Sequence, residues 1–474
     1  MHGLHITGII IYEIVVVIAI IHVLMDNRQP AKTMAWALVI YFVPFVGIIF
    51  YIFFGVNRRK EKLVSERSLN QLTKRSMLSF VEQHNLQLPD NHRQTIDLFV
   101  NQNLSMPFKN NNLDIFTDGQ AFFLSLLQAI GKARDHIHID MYIFSDDPLG
   151  RLIADALADK ARQGVEVRVI YDDVGCWKVD RLFFESMREN GIEVHAFLPV
   201  RFPSFTSKVN YRNHRKIIVI DGTVGYIGGM NIALRYVNGT NGLKWRDTMT
   251  RITGGGVLAL QRAFLIDWYF VDRTLISNRK YYPTTPPTIQ NDCLIQIVTS
   301  SPVAPYPDIM QGYLRVIMSA RKYIFIETPY FLPTNSILFA LKTAVLGGID
   351  VRLIVPRHCD SSFVEWAGRS YLRDIAQAGV KVYLYDKGFL HSKILVCDDT
   401  LATCGSTNVD SRSFENNFEA NAFFYDKTTA LRFKEIFMHD LNGSTALEKV
   451  AERKSPDFYA RLWESLTRLL SPLL

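Results

Sequence analysis

The sequence predicts an α/β protein: two similar lobes in a pseudo-twofold arrangement, preceded by a two-helix transmembrane hairpin. Three observations carry that expectation. Two apolar runs of bilayer length open the chain. Strand-like alternation and helical periodicity then take turns along the remainder. That pattern occurs twice, and each copy closes on the same polar motif.

Composition sets the bounds. At roughly 100–200 residues per domain, the 474 residues make about two to four units. Hydrophobic residues make up 48% and charged residues 21%, which excludes a disordered or collagen-like chain. The cysteines (Cys176, Cys293, Cys359, Cys397 and Cys404) are too scattered for a disulfide scaffold or a zinc spacing. A reducing compartment is the simplest reading. The net charge is +7, and in the first 55 residues Glu13 and Asp26 balance Arg28 and Lys32, so the excess lies beyond them. An anionic membrane surface or a nucleic acid would suit that excess, and charge alone does not choose between them.

The first apolar run extends from Ile6 to Met25, and the second, Met34 to Phe54, carries no charge. Each is about 20 residues, or ~30 Å as a helix, the thickness of a bilayer core. The polar stretch from Asp26 to Thr33 turns them into a hairpin over residues 1–57. A cleaved signal peptide competes for the first run, but the run lacks a basic start and a second one follows at once. Pro44 and Gly47 are tolerated in membrane helices. Glu13 is costly in lipid and receives no role. Arg58, Arg59, Lys60 and Lys62 follow the second run, so the positive-inside rule places the large C-terminal portion in the cytoplasm. The expected location is the inner (cytoplasmic) membrane, as a multi-pass protein.

Residues 58–110 read as a polar linker, broken at Pro89 and Pro107. The first lobe spans 111–288. It has an amphipathic helix from Leu126 to Arg134, a strand from His136 to Phe144, a helix from about Leu149 to Gln163, and strands Val165 to Tyr171 and Ile192 to Phe197. The second lobe, 289–474, repeats this with strands Tyr323 to Glu327, Ile349 to Val355 and Val380 to Tyr385. Landmarks recur in step, Ala133 with Ala320 and Gly191 with Gly379. The stretch from Thr284 to Thr288 is the expected junction. Helices between strands imply a largely buried sheet in each lobe.

The repeated motif carries the chemistry. The first copy has His214, Lys216, Asp221 and Asn231; the second has His391, Lys393, Asp398 and Asn408, at identical offsets. Residues two apart on a strand share a face, so each His and Lys point the same way. Asp221 and Asp398 have the opposite parity and precede a turn. They are grouped with the catalytic set but are expected to brace that turn more than to touch substrate. The chain then returns, which can bring Asn231 and Asn408 back beside the His/Lys face. Two lobes facing each other would assemble two histidines, two lysines and two asparagines, a site for phosphate. Lysines and amides stabilise charge on phosphorus. One neutral imidazole attacks and the opposed imidazolium protonates the leaving oxygen. No metal is required. No nucleotide or redox cofactor motif is present, and Gly254-Gly255-Gly256 reads as a turn. His136, His138, His195, His358 and His439 lack such company and read as structural or surface residues.

The paired His-x-Lys-x4-Asp motifs resemble those of the phospholipase D superfamily, over roughly residues 111–474. With the N-terminal runs, the stretch Trp36 to Gly47 and the ending Arg468 to Leu474, the sequence most resembles the bacterial cardiolipin synthases. The resemblance implies a phosphatidyltransferase that turns two phosphatidylglycerol molecules into cardiolipin and glycerol through a phosphatidyl-histidine intermediate. It implies His214 as nucleophile and His391 as acid and base. It implies phosphatidylglycerol and anionic membrane lipids as partners, with no nucleic acid. A phospholipase D-type hydrolase or a nuclease on the same scaffold is the alternative, and oligomeric state is left open. The family pattern has Gly-Ser before x-Asn, and Gly228-Gly229 departs from it. An acid follows each motif, Asp247 and Glu419. The resemblance implies crosswise pairing, Glu419 on His214 and Asp247 on His391, each fixing a tautomer; surface salt bridging is the alternative.

Two further features suit a lipid. The segment Phe197 to Asn213 carries Phe202, Phe205 and Tyr211 among Arg201, Lys208 and Arg212, and reads as a membrane dock, a lid or an ordinary loop. The tail places Phe458, Leu462, Trp463, Leu466 and Leu470 at helical spacing. That stripe suits a membrane surface, and packing on the protein is the simpler reading.

Overall fold

The computed structural model describes residues 2–25, 30–55, 88–200, 210–240, 242–283, 293–451 and 458–469. The basic cluster Arg58 to Lys62, the junction Thr284 to Thr288, the aromatic residues Phe202 and Phe205 and the terminal Leu470 lie outside those residues.

The first lobe is built on seven strands, in the order Asn111–Phe116, Met249–Gly254, Val224–Gly228, Lys216–Ile220, His136–Met141, Glu166–Asp172 and Glu193–Phe197. The second repeats the order with Ile295–Ser300, Asn417–Phe424, Leu401–Gly405, Ile394–Cys397, Tyr323–Glu327, Asp350–Pro356 and Lys381–Tyr385. In each sheet the last three strands are parallel and joined by helical crossovers, as parallel neighbours require. The motif strand runs antiparallel beside them and turns back in a hairpin. Helix starts follow capping chemistry. The Asp118 side chain accepts from Ala121 N at 2.9 Å ahead of Gly119–Lys132, and Asp147 from Gly150 N at 2.9 Å ahead of Pro148–Arg162.

Period-two alternation sends each motif strand to two cores. Ile218 and Ile220 pack outward under the first lobe's helices, while Ile217 and Val219 face the second lobe. There they meet Ile394, Val396 and Phe424, with Leu260 of helix Gly256–Asp272 and Phe433 of helix Lys427–Leu441. The lobes therefore share a core.

Three expectations change. The helix Arg93–Asn103 and strand Pro107–Phe108, from the stretch read as linker, pack on the second lobe, where the strand pairs with Ile295–Ser300. The second apolar run is not one helix. It divides into Pro30–Phe42, Pro44–Phe50 and a π turn Tyr51–Gly55. Val43 leaves the helical region because the ring of Pro44 crowds it. These pieces pack on His2–Met25 through Val16, Val23, Trp36, Ile40 and Tyr51. Among the described residues no helix is long and apolar enough to cross a membrane. Lastly, the C-terminal helix Phe458–Leu469 does not bury the apolar side chains described on it, Phe458, Leu462 and Trp463. These face outward, and Glu464 and Thr467 are buried.

Candidate active site

Each motif histidine sits just ahead of its strand, not within it, and is held by the other lobe. Arg212–Asn213 pairs in parallel with Asn417–Phe418, and His214 N donates to Phe418 O at 2.9 Å. Reciprocally, Phe389–Leu390 pairs with Trp245–Arg246, and His391 N donates to Arg246 O at 2.6 Å. The residue after each of those acceptors is the acid. His214 Nδ1 lies 3.0 and 3.1 Å from the two Glu419 carboxylate oxygens. His391 Nδ1 lies 2.6 Å from Asp247 Oδ2. The crosswise geometry thus follows from two short inter-lobe strand pairs.

The lysines fold back onto the histidines. Lys216 Nζ donates to His214 O at 2.6 Å; Lys393 Nζ reaches His391 O and lies 2.9 Å from its Nδ1. Both lysines are fully buried. Burial pushes the Lys216 ammonium down to about 7, and Lys393 adds to the push. Burial lowers His214 too, opposed by Glu419. It lowers His391 to about 3, with Lys393 adding to desolvation and Asp247 opposing it. Burial would raise the Asp247 and Glu419 carboxyls, but the Lys393 and His391 charges outweigh it at Asp247, and His214 with Lys216 outweighs it at Glu419, so both sit below the usual range. The resting pairs are therefore neutral imidazole and carboxylate. For His214, whose Nδ1 faces only carboxylate oxygens, the proton lies on Nδ1 and the Nε2 lone pair is free.

The acids differ in support. Glu419 accepts from the Ser406 hydroxyl and from Asn417 Nδ2 at 3.2 Å. Asp247 Oδ1 accepts from Thr248 N at 2.7 Å, and its carboxylate packs on Gly229, where any Cβ would overlap it. The departure from Gly-Ser at position 229 is thus the space that Asp247 occupies.

Asp221 and Asp398, grouped above with the catalytic set, lie at the far ends of the motif strands from the histidines. Asp221 accepts from the backbone N–H groups of Arg134, Asp135 and His136 at 2.8–3.0 Å. Asp398 accepts from Arg321, Lys322 and Tyr323 at 2.7–2.9 Å. Both have left-handed backbones, φ 52° and 54°. They tie a hairpin to the helix–strand corner beside it.

His214, His391, Asn231 and Asn408 line one cavity of about 440 Å³. Asn231 is partly engaged, accepting from Ile143 N at 3.1 Å and donating to the Tyr236 hydroxyl at 2.7 Å. Residues not foreseen also line it: Tyr142, Tyr236, Trp245, Tyr330, Arg235 and Arg412. Tyr142 stands edge-on to His214 at 4.9 Å, and Lys216 Nζ lies 5.2 Å from the Tyr142 ring centre. Trp245 sits 5.6 Å from the His391 ring and under Arg235 at 5.1 Å. Such rings exclude water and accept cations. Trp245 and Arg246 directly precede Asp247, the available sequence signal; Tyr142 and Tyr330 follow strand ends in both lobes. His136 and His138 are buried, bridged by Gln261.

A family model described as cardiolipin synthase, phospholipase D-like domain, matches residues 126–247 and 313–441. A second, the phospholipase D–nuclease N-terminal family, matches residues 14–55. The chain is 39% identical over 471 residues to a cardiolipin synthase of Oceanobacillus iheyensis, covering 97% of each. It is 38% identical over 471 residues to the major cardiolipin synthase of Bacillus subtilis, again covering 97% of each. The crystal structure of a phosphatidylserine synthase from Haemophilus influenzae has the same fold, with a TM-score of 0.64 at 15% identity over 81% of this chain and 100% of that one. By its domain match and by identity at this level along nearly its whole length, the chain belongs to the cardiolipin synthase family of phospholipase D-like proteins.

Proposed function

We propose that this chain is a phosphatidyltransferase that joins two phosphatidylglycerol molecules into cardiolipin and releases glycerol. One observation carries the reading: two imidazoles, each bonded through Nδ1 to a carboxylate of the opposite lobe, line one cavity with buried lysines behind them. The Nε2 atom of His214 attacks phosphorus and the bond to the glycerol oxygen breaks. His391 delivers a proton to that oxygen. The free hydroxyl of a second phosphatidylglycerol then forms its bond to phosphorus, the phosphorus–nitrogen bond breaks, and His391 takes the proton back. His214 suits attack because its Nδ1 faces only the Glu419 carboxylate, which holds the proton there and leaves Nε2 free; His391, lowered to about 3, makes a strong acid once protonated. The negative charge of the bound diester favours protonation of His391, which brings it into its acid form while His214 stays neutral for attack. Lys216 and Lys393, with Asn231 and Asn408, hold the phosphoryl oxygens.

The N-terminal helices enter the inner membrane in this reading, with the lobes on the cytoplasmic side. Their outward residues, including Ile14, Ile18, Ile21, Tyr41, Phe42 and Phe45, are exposed and apolar. In water that surface would cost about 25 cal/mol per Å².

The test uses purified protein in detergent with labelled phosphatidylglycerol and no added metal. Cardiolipin and glycerol should form, and His214→Ala should form neither. Phosphatidic acid alone from the wild type would replace the reading with hydrolysis.

A further inference from the structure

Beside the catalytic cavity lies a second of about 880 Å³. The two share Tyr330 and Val364 as lining, and the Tyr330 ring stands 6.5 Å from that of His391. Its walls are largely apolar, with Phe331, Val355, Leu372, Leu384 and Leu447 among them. The arginines on it are paired with acids: Arg357 with Asp386, Arg369 with Glu365 and Arg373 with Glu464. Nothing there calls for an ionic ligand, and the volume is that of a site for a large apolar one, ~300–1,000 Å³.

The C-terminal helix Phe458–Leu469 borders this cavity with Glu464. It is pinned to helix Ser362–Gln377 by the Arg373–Glu464 pair and by Arg468, which lies 4.4 Å from the Tyr371 ring centre. Its outer face leaves Phe458 72%, Tyr459 77% and Trp463 52% exposed. Aromatic residues presented in this way suit the interfacial zone of a membrane. The cavity thus adjoins the His391 side of the catalytic centre and a helix with a lipid-compatible outer face.

We propose that this cavity holds an acyl chain of the acceptor phospholipid, the second phosphatidylglycerol, entering from the membrane at the C-terminal helix. The proposal rests on the transferase reading above, in which His391 takes the proton of the acceptor hydroxyl. A chain held beside His391 places that hydroxyl in line with the phosphatidyl-histidine. The acceptor oxygen bonds to phosphorus, the bond to His214 Nε2 breaks, and the proton passes to His391. Water in the same position would give phosphatidic acid. The cavity therefore biases the intermediate towards lipid over water.

The test is the ratio of cardiolipin to phosphatidic acid formed from long-chain phosphatidylglycerol. Gly368 lies on the cavity wall, and a Cβ there meets only Phe331 O, at 3.6 Å. Gly368→Leu therefore fills the cavity without a backbone clash, in a helix that favours leucine over glycine. Ala376→Leu, two turns along, narrows the cavity from a second position should the first variant fold poorly. The ratio should fall at least about tenfold, since several buried methylenes are displaced. An unchanged ratio in both folded variants overturns the proposal. Equal loss of both products also overturns it, assigning the cavity to the donor lipid. If the wild type makes no cardiolipin, the transferase reading itself fails, an outcome distinct from the other two.

Discussion

In the proposed reaction, Lys216 is the residue whose charge is expected to set the working pH. An unperturbed lysine is cationic throughout the neutral range, but burial has brought this one to about 7, so the free enzyme loses the charge as pH rises through neutrality. A bound phosphodiester should restore it, since a nearby negative charge favours the ammonium. The consequence is a split between kinetic parameters: kcat/KM, which reports the free enzyme, should decline above about pH 7, while kcat holds to higher pH. Lys216→Arg should carry the alkaline limb of kcat/KM upward, since guanidinium does not titrate there. A kcat/KM profile that is flat from about pH 6 to about pH 9 would contradict the assignment. Gly229 is a second residue whose role is spatial. With Asp247 against its Cα, Gly229→Ala must displace the carboxylate that holds His391. Turnover should drop by about 10²-fold, the scale of a 1 Å misplacement, with little change in KM.

At the scale of elements, the hairpin aspartates test whether motif membership means catalysis. Asp221 satisfies three backbone donors at a helix–strand corner. Asp221→Asn keeps the left-handed turn tolerable but cannot accept as a carboxylate does. It should destabilise the fold by about 1–3 kcal/mol and lower Tm, yet leave kcat per folded molecule near wild type. Loss of kcat at unchanged Tm would return Asp221 to the chemistry. The sequence made these elements legible where their signal was local. Alternation placed Tyr323–Glu327 to the residue and the other motif-flanking strands within a few positions. Helix Gly256–Asp272 escaped notice because it lies between the two sheets and is buried on most sides, so no polar face marks its period. The C-terminal helix departs from the simpler of its two readings: Phe458, Leu462 and Trp463 point away from the protein.

At the scale of the molecule, neither lobe holds a complete half-site. Histidine and lysine come from one lobe and the orienting acid from the other. The motif spacing marked the histidines and lysines, because each lies in a local pattern, whereas the acids stand at unequal distances from their motifs and their pairing came only from the family resemblance. Periodicity alone could not reveal what joins them, two strand pairs only two residues long, Arg212–Asn213 and Phe389–Leu390, formed between distant segments. That arrangement makes the lobes one catalytic unit, and a cross-lobe cycle can measure it. Glu419→Gln and Asp247→Asn each leave the shape intact while disturbing one imidazole tautomer, so each should cost about 10³–10⁴ in kcat. If both serve one reaction path, the double variant should be worse than either single one by no more than about tenfold, because a path already broken at one histidine gains little by breaking at the other. Multiplication of the two losses would mean that the two half-sites act independently. The shared core and the reciprocal backbone bonds to Phe418 and Arg246 argue for the first outcome, since an acid cannot shift in one lobe without moving the strand that carries the opposite histidine.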